Sequence, residues 1–319
     1  MRFYFDNNVY SMILQNSETQ LVKSFLMSGK HSLIASEINL IEFGRIPESK
    51  SDLRGLEISN VVRLATRFRD FPCSYVQSME LIRELRRIRP DWLRPFKSKA
   101  GAKKFLRSHN AKWQDALKGT YPSSFEKQKR LNEEKSMQPQ ILAAQREWRQ
   151  GPERNYLQTH DKATGDALSK YLIKSADAKW REDRFVAWEA ALRQKHPFVQ
   201  DYIDYAAPYI RDTMHTPLEN AIEFWLFEAD ANNMPHNRAV GLTWHYQTNY
   251  QIDSGNPYDV SHSHNLIDVD FFVTCDKNFY KVLSAVSRDI PNSARPLFLK
   301  RKSHSACEQL ITLEKNNFT

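Results

Sequence analysis

The chain has 319 residues, 41% hydrophobic and 12% aromatic, enough apolar mass for one large or two ordinary domains, which excludes wholesale disorder. Lys and Arg number 46 against 38 Asp and Glu, giving a net charge of +8 and a pI near 9.2, the electrostatic footprint of a protein that meets a polyanion, nucleic acid first. Three scattered cysteines (Cys73, Cys275, Cys307) exclude a disulfide framework and fit a reducing compartment. No signal-peptide pattern opens the chain and no apolar run is long enough to span a bilayer, so a cytoplasmic protein without a membrane partner is expected.

The opening RFYFD alternates Phe3 and Phe5 as a strand directly before Asp6, and Asn7, Asn8 and a helical pattern follow. LVKSFLMSG, stopped by Gly29, predicts the crossover helix to a second strand. SLIASEINLIEFGRI then supplies that strand at Leu33–Ala35, a Ser36 cap, and a helix that exposes Glu42 after its first turn. Residues 56–70 repeat Leu56, Val61, Leu64, Ala65 and Phe68 at helical spacing and predict a helix. After Pro72, YVQSMELIRELRRIR predicts another, reaching Pro90 with Arg83, Arg86, Arg87 and Arg89 around its outer face.

From Asp91 to about Thr216 strand signals vanish, and Lys, Arg, Gln, Glu and Trp become frequent. The stretch reads as helices separated or bent at Pro122, Pro139, Pro152 and Pro197, so residues 91–214 are expected to form an α-helical insertion. The core would then be discontinuous, from 1–90 and 215–319. Lys97, Lys99, Lys103, Lys104 and Arg107 fall in a stretch without an acid, with Phe105 among them and Trp113 shortly after. Such residues can neutralise phosphates and stack on bases; the plainer account of the same pattern is a solvated helix face with its aromatics buried.

TPLENAIEFWLFEADANN predicts a further helix, with Pro217 at its first position. In Asn256–Phe279 a short polar-faced helix from Asp259 to about Ile267 precedes the apolar strand FFVT and a turn carrying Asp276. FYKVLSAVS is another helix and RPLFLKR an edge strand. The recurring order of strand, cap or turn, acid and helix implies an α/β core of four to five parallel strands flanked by helices. Asp6, Glu42, Asp259 and Asp276 can gather at its carboxyl edge, where open α/β sheets place their chemistry. Clustered carboxylates repel one another unless a cation neutralises them, and oxygen ligands suit Mg²⁺ or Mn²⁺ rather than zinc. His236, His245, His262 and His264 lack the tight paired spacing of a zinc site. Taken singly, an acid after a strand equally well caps the next helix.

Together these residues resemble the PIN-domain (PIN-like) nucleases: Asp6-Asn7-Asn8 after the first strand, Ser36 six residues before the helical Glu42, and Asp259, His262, FFVT and Asp276 near the end. The likeness covers roughly the first 70 and the last 80 residues. It implies a PIN-like core and a Mg²⁺- or Mn²⁺-dependent endoribonuclease that leaves 5′-phosphate and 3′-hydroxyl ends. Asp6 and Asp276 would sit closest to the ion, with Glu42 and Asp259 acting directly or through waters. Asn8 and Thr274 would orient the carboxylates, and His262 would bond a carboxylate or phosphate. The inserted helices would select RNA or receive a regulatory protein, and a homo-oligomer is compatible with this reading. A DNA nuclease of flap or single-strand type, and a catalytically inactive interaction module, are the alternatives.

Overall fold

The computed structural model describes residues 1–43, 63–69, 71–95, 100–118, 180–185, 187–188, 205–211, 218–247, 256–301 and 305–317, with single helical positions at 139, 143 and 146. In chain order the elements are β1 (Arg2–Phe5), α1 (Asn7–Gln15), α2 (Thr19–Ser28), β2 (Ser32–Ala35), α3 (Glu37–Phe43) and β3 (Arg67–Phe68). They continue with α4 (Cys73–Ile88), α5 (Ala100–Lys118), α6 (Leu218–Glu223), α7 (Pro235–Gln247) and α8 (Asn256–Ser263). The last are β4 (Phe271–Thr274), α9 (Lys277–Asp289), β5 (Arg295–Phe298) and α10 (Ala306–Asn317). They form two compact units, one of Met1–Pro72, Lys104–Glu134 and Asn265–Thr319, the other of Cys73–Lys103 and Lys135–His264. Thus Cys73–Lys103 groups with the largely helical unit, and the stretch that follows Lys103 groups with the sheet.

The first unit is an α/β fold with a five-stranded, all-parallel sheet in the order β3-β2-β1-β4-β5. Strand periodicity of two decides which helix covers which face. Phe3 and Phe5 of β1, with Val273 of β4 and Leu297 of β5, join Val9 and Ile13 of α1, Phe25 and Leu26 of α2, and Leu310 of α10 in one core. Tyr4 and Phe272 point the other way, with ring centroids 4.9 Å apart, and Phe279 of α9 meets Phe272 edge-on at 5.7 Å. The central strands β1 and β4 are therefore apolar on both faces, as a sheet covered twice requires.

The expected helix over 56–70 does not run through. Helical residues end at Leu64, and the chain forms β3, pairing Ile34 with Arg67 and Ala35 with Phe68. An edge pairing satisfies the backbone here, Arg69 N–H donating to the Ala35 carbonyl at 2.9 Å. Phe68, which the helical pattern would have placed in a stripe, instead stacks on Trp113 of α5 at 4.2 Å and on His109 at 4.8 Å.

In the second unit α4 ends at Ile88, short of Pro90 as the sequence implies. The helix expected to run through 233 is interrupted: α6 gives way to a π-helical turn at Phe224–Glu228, and Ala229 is extended. Arg181 takes up the freed carbonyls, donating from Nη1 to Trp225 at 3.1 Å and to Ala229 at 2.6 Å. Trp180, Phe185, Trp188, Phe224 and Trp225 are fully buried, so these aromatics build a core. Among the described residues no helix is long and apolar enough to cross a membrane.

Candidate functional site

The sheet order reverses direction between β1 and β4: one strand series runs outward from β1 through β2 to β3, the other from β4 to β5. The carboxyl ends of those two strands form the crevice where open α/β sheets bind ligands. Asp6 follows β1 and Asp276 follows β4 by two residues. Pairing of Phe5 with Val273, and the Asp6 N–H bond to the Val273 carbonyl at 3.0 Å, set Asp6 level with Thr274.

Thr274 ties the two acids together. Its hydroxyl donates to Asp6 Oδ2 and accepts the Asp276 N–H at 2.9 Å. Both carboxylates also stand at helix N-termini, where the exposed N–H groups favour negative charge. Asp6 Oδ1 caps α1 by accepting from Val9 N–H at 2.9 Å. Asp276 Oδ1 caps α9 by accepting from Asn278 at 2.7 Å and Phe279 at 2.9 Å. Asp276 Oδ2 accepts no hydrogen bond among the described residues. Asp6 is only 2% exposed.

Burial and the Asp6 charge together shift two neighbouring groups. Burial first, and then Asp6, pushes the Cys275 thiol up to about 12, against an opposing pull from Arg301. Tyr10 is shifted upward as well, by burial and by Asp6.

α3 is clasped to the β1–α1 turn. Asn39 donates from Nδ2 to the Phe5 carbonyl at 3.1 Å and to Asn7 Oδ1 at 2.7 Å, and its Oδ1 accepts the Ser36 N–H at 3.0 Å. Ser36 is thus at the cap position as expected, while the reciprocal bond comes from Asn39 three residues on. The Ser36 hydroxyl is bonded to the Tyr4 hydroxyl at 3.0 Å. Glu42 lies one helical turn beyond Asn39 and is half-buried. Asn8 is half-buried on α1, and its Oδ1 accepts from Arg301; the expected bond from its amide to the Asp6 carboxylate is not formed.

Asp259 and His262 belong to the second unit, both on α8. Asp259 is half-buried and accepts from Gln247 Nε2 at 3.4 Å; His262 is buried. Lys97 and Lys99 lie outside the described residues, as do the side chains of Lys103 and Lys104 within α5; Arg107 is exposed. Asp270, at the opposite end of β4, is bonded to the Arg2 main chain and guanidinium, and Asp268 is paired with Arg69. Both serve structure away from the crevice. The Asn7–Asn39 clasp and Arg301 were not singled out from sequence. Asn39 has a legible signal, a polar side chain three residues past a serine cap, whereas Arg301 reaches Asn8 only because β5 flanks β4.

Comparison with family models, with curated proteins and with solved structures returns no match.

Proposed function

We propose that the first unit is a divalent-cation-dependent nuclease of PIN-like type, acting on phosphodiester bonds of RNA. The observation that carries the reading is the Thr274 hydroxyl holding Asp6 and Asp276 at the point where the strand order reverses. Asp276 presents the unengaged Oδ2, and the Asp6 carboxylate, held by Val9 N–H and the Thr274 hydroxyl, is the second oxygen donor of the set. Glu42 is the third carboxylate of the set on this unit. Bound Mg²⁺ or Mn²⁺ would activate a water and stabilise charge on the scissile phosphate. Arg301 is placed to receive a phosphate oxygen, and Thr274 keeps the carboxylates oriented without a proton of its own being transferred. The helical residues, exposed Arg107 among them, are assigned to substrate or regulatory-partner contacts.

A second reading is favoured by one observation: both aspartates already act as helix caps, and Asp6 is nearly buried. On that reading the acids serve stability and the protein is an interaction module. Cleavage of labelled single-stranded RNA and DNA in Mn²⁺, then in EDTA, separates the two. Asp6→Asn and Asp276→Asn keep the capping oxygen and should lower cleavage by on the order of a hundredfold or more. Asp259→Asn, assayed alongside, reports whether that residue takes part. Equal activity in the wild type and both variants, or none in the wild type, overturns the nuclease reading; cleavage of DNA alone overturns the RNA assignment.

A further inference from the structure

The second unit contains a cleft of about 320 Å³ lined by Ile82, Arg86, Pro90, Leu93, Arg94, Pro95, Tyr209 and Arg211. Two chain segments distant in sequence build it. Leu93 and Ile210 form an antiparallel bridge, Arg94 N–H donating to the Tyr209 carbonyl and Arg211 N–H to the Trp92 carbonyl, each at 2.9 Å. Residues one step from a bridge project to the same side, so Arg94 and Tyr209 share a face across the pair. Arg86 reaches the cleft from the last turns of α4.

Among the described residues three guanidinium groups line this cleft and no carboxylate does. Elsewhere on the same unit arginines are matched: Arg87 pairs with Glu84, and Arg89 with Glu223 and Glu228. Arg86 and Arg211 have no ion pair among the described residues. Like charges crowded together raise the free energy of the protein unless an anion joins them. Guanidinium forks suit the paired oxygens of a phosphate better than a point charge does. The remaining wall, Ile82, Pro90, Leu93, Pro95 and the Tyr209 ring, is apolar or aromatic and suits a flat hydrophobic moiety. The volume is at the lower end of the roughly 300–1,000 Å³ typical of small-molecule sites.

We infer that this cleft binds a phosphate monoester carrying a planar group, at the size of a nucleoside monophosphate, free or at the end of a nucleic-acid chain. The phosphate lies among Arg86, Arg94 and Arg211, and the base lies against Tyr209 and the prolines. All the described lining residues are in the second unit, so the inference stands independently of the proposed carboxylate site.

Calorimetric titration of the full chain with AMP in EDTA tests it, with adenosine as the uncharged comparison. AMP should bind one to one and adenosine at least about tenfold more weakly, because charge-assisted hydrogen bonds are lost. Arg86→Gln and Arg211→Gln change exposed side chains and should each weaken AMP by about tenfold, and the double variant by more. Circular dichroism of the variants confirms that they fold. A terminally phosphorylated dinucleotide that binds as tightly as AMP supports the site with a chain end as its source; weaker binding supports it with free nucleotide as the source. Failure of AMP to bind at millimolar concentration, equal binding of adenosine, or indifference to both arginine substitutions overturns the inference.

Discussion

Thr274→Val is the most informative single change in the first unit, because it keeps shape and removes one hydroxyl. In the native protein that hydroxyl donates to Asp6 and accepts from the Asp276 N–H, and Thr274 is fully buried. Valine leaves the Asp6 carboxylate short of a charge-assisted bond, about 1.5–3 kcal/mol, and strands a main-chain N–H at about 1–3 kcal/mol. The two losses share one site and are not additive, so the expected destabilisation is about 3 kcal/mol. At roughly 2–4 °C per kcal/mol, the unfolding midpoint of this unit should fall by about 6–12 °C. Thr274→Ser keeps both bonds and loses a buried methyl, costing about 1 kcal/mol. Urea or thermal unfolding followed by circular dichroism measures both variants. A Val variant no less stable than the Ser variant would refute the bridging role of the hydroxyl.

Glu37 of α3 supplies a pH signature. Burial raises its carboxyl, but the His109 contact and the Lys112 charge outweigh this and lower it from 4.5 to about 2. Lys112 Nζ lies 2.5 Å from Oε1, whereas His109 Nδ1, at 3.4 Å from Oε2, is a charge contact rather than a well-formed hydrogen bond. A depressed folded pKa contributes stability that is fully present above 4.5 and lost as pH falls towards 2, about 3 kcal/mol in all. Glu37→Gln should flatten that stretch of the stability profile, and an unchanged acid slope would contradict the assignment. In the second unit Glu80 accepts from His236 N–H and Nδ1 and from Asn237 N–H and Nδ2, at 2.6–3.1 Å, covering the start of α7, which follows the non-capping Met234. Glu80→Gln turns one oxygen into a donor and should cost roughly 2–4 kcal/mol in urea unfolding; a loss under about 0.5 kcal/mol would contradict it. Gly241→Ala would set a Cβ 2.9 Å from the Trp180 carbonyl oxygen, backbone that yields little, and should destabilise the protein by about 1–3 kcal/mol. A stabilised Ala variant would show that the Trp180 backbone yields at small cost.

Four of the five strands were legible because each combines alternating or continuous apolar residues with a neighbouring acid or turn. The exception, β3, is two residues long and owes its state to pairing with β2, so periodicity over Leu64 and Phe68 pointed to a helix that tertiary contacts override. His262, Ser263, His264 and Asn265 read as a polar helix face, yet all four are buried. His264, for example, bonds the Cys73 carbonyl at 2.9 Å, a partner nearly two hundred residues away by chain and invisible to any local pattern. Asp6, Thr274 and Asp276 were legible as separate positions from strand ends and caps. The hydroxyl bridge that unites them was not, since it depends on β1 and β4 being neighbours. The division between Lys103 and Lys104, inside α5, leaves no compositional trace because a continuous helix crosses it.

Mn²⁺ titration of the folded protein by electron paramagnetic resonance asks whether the crevice beyond β1 and β4 takes the proposed hard divalent ion. The expected result is a bound Mn²⁺ whose affinity falls at least about tenfold in Asp276→Asn and in Asp6→Asn, with both variants still folded. Mn²⁺ binding that is absent from the wild type, or identical in all three proteins, would contradict it.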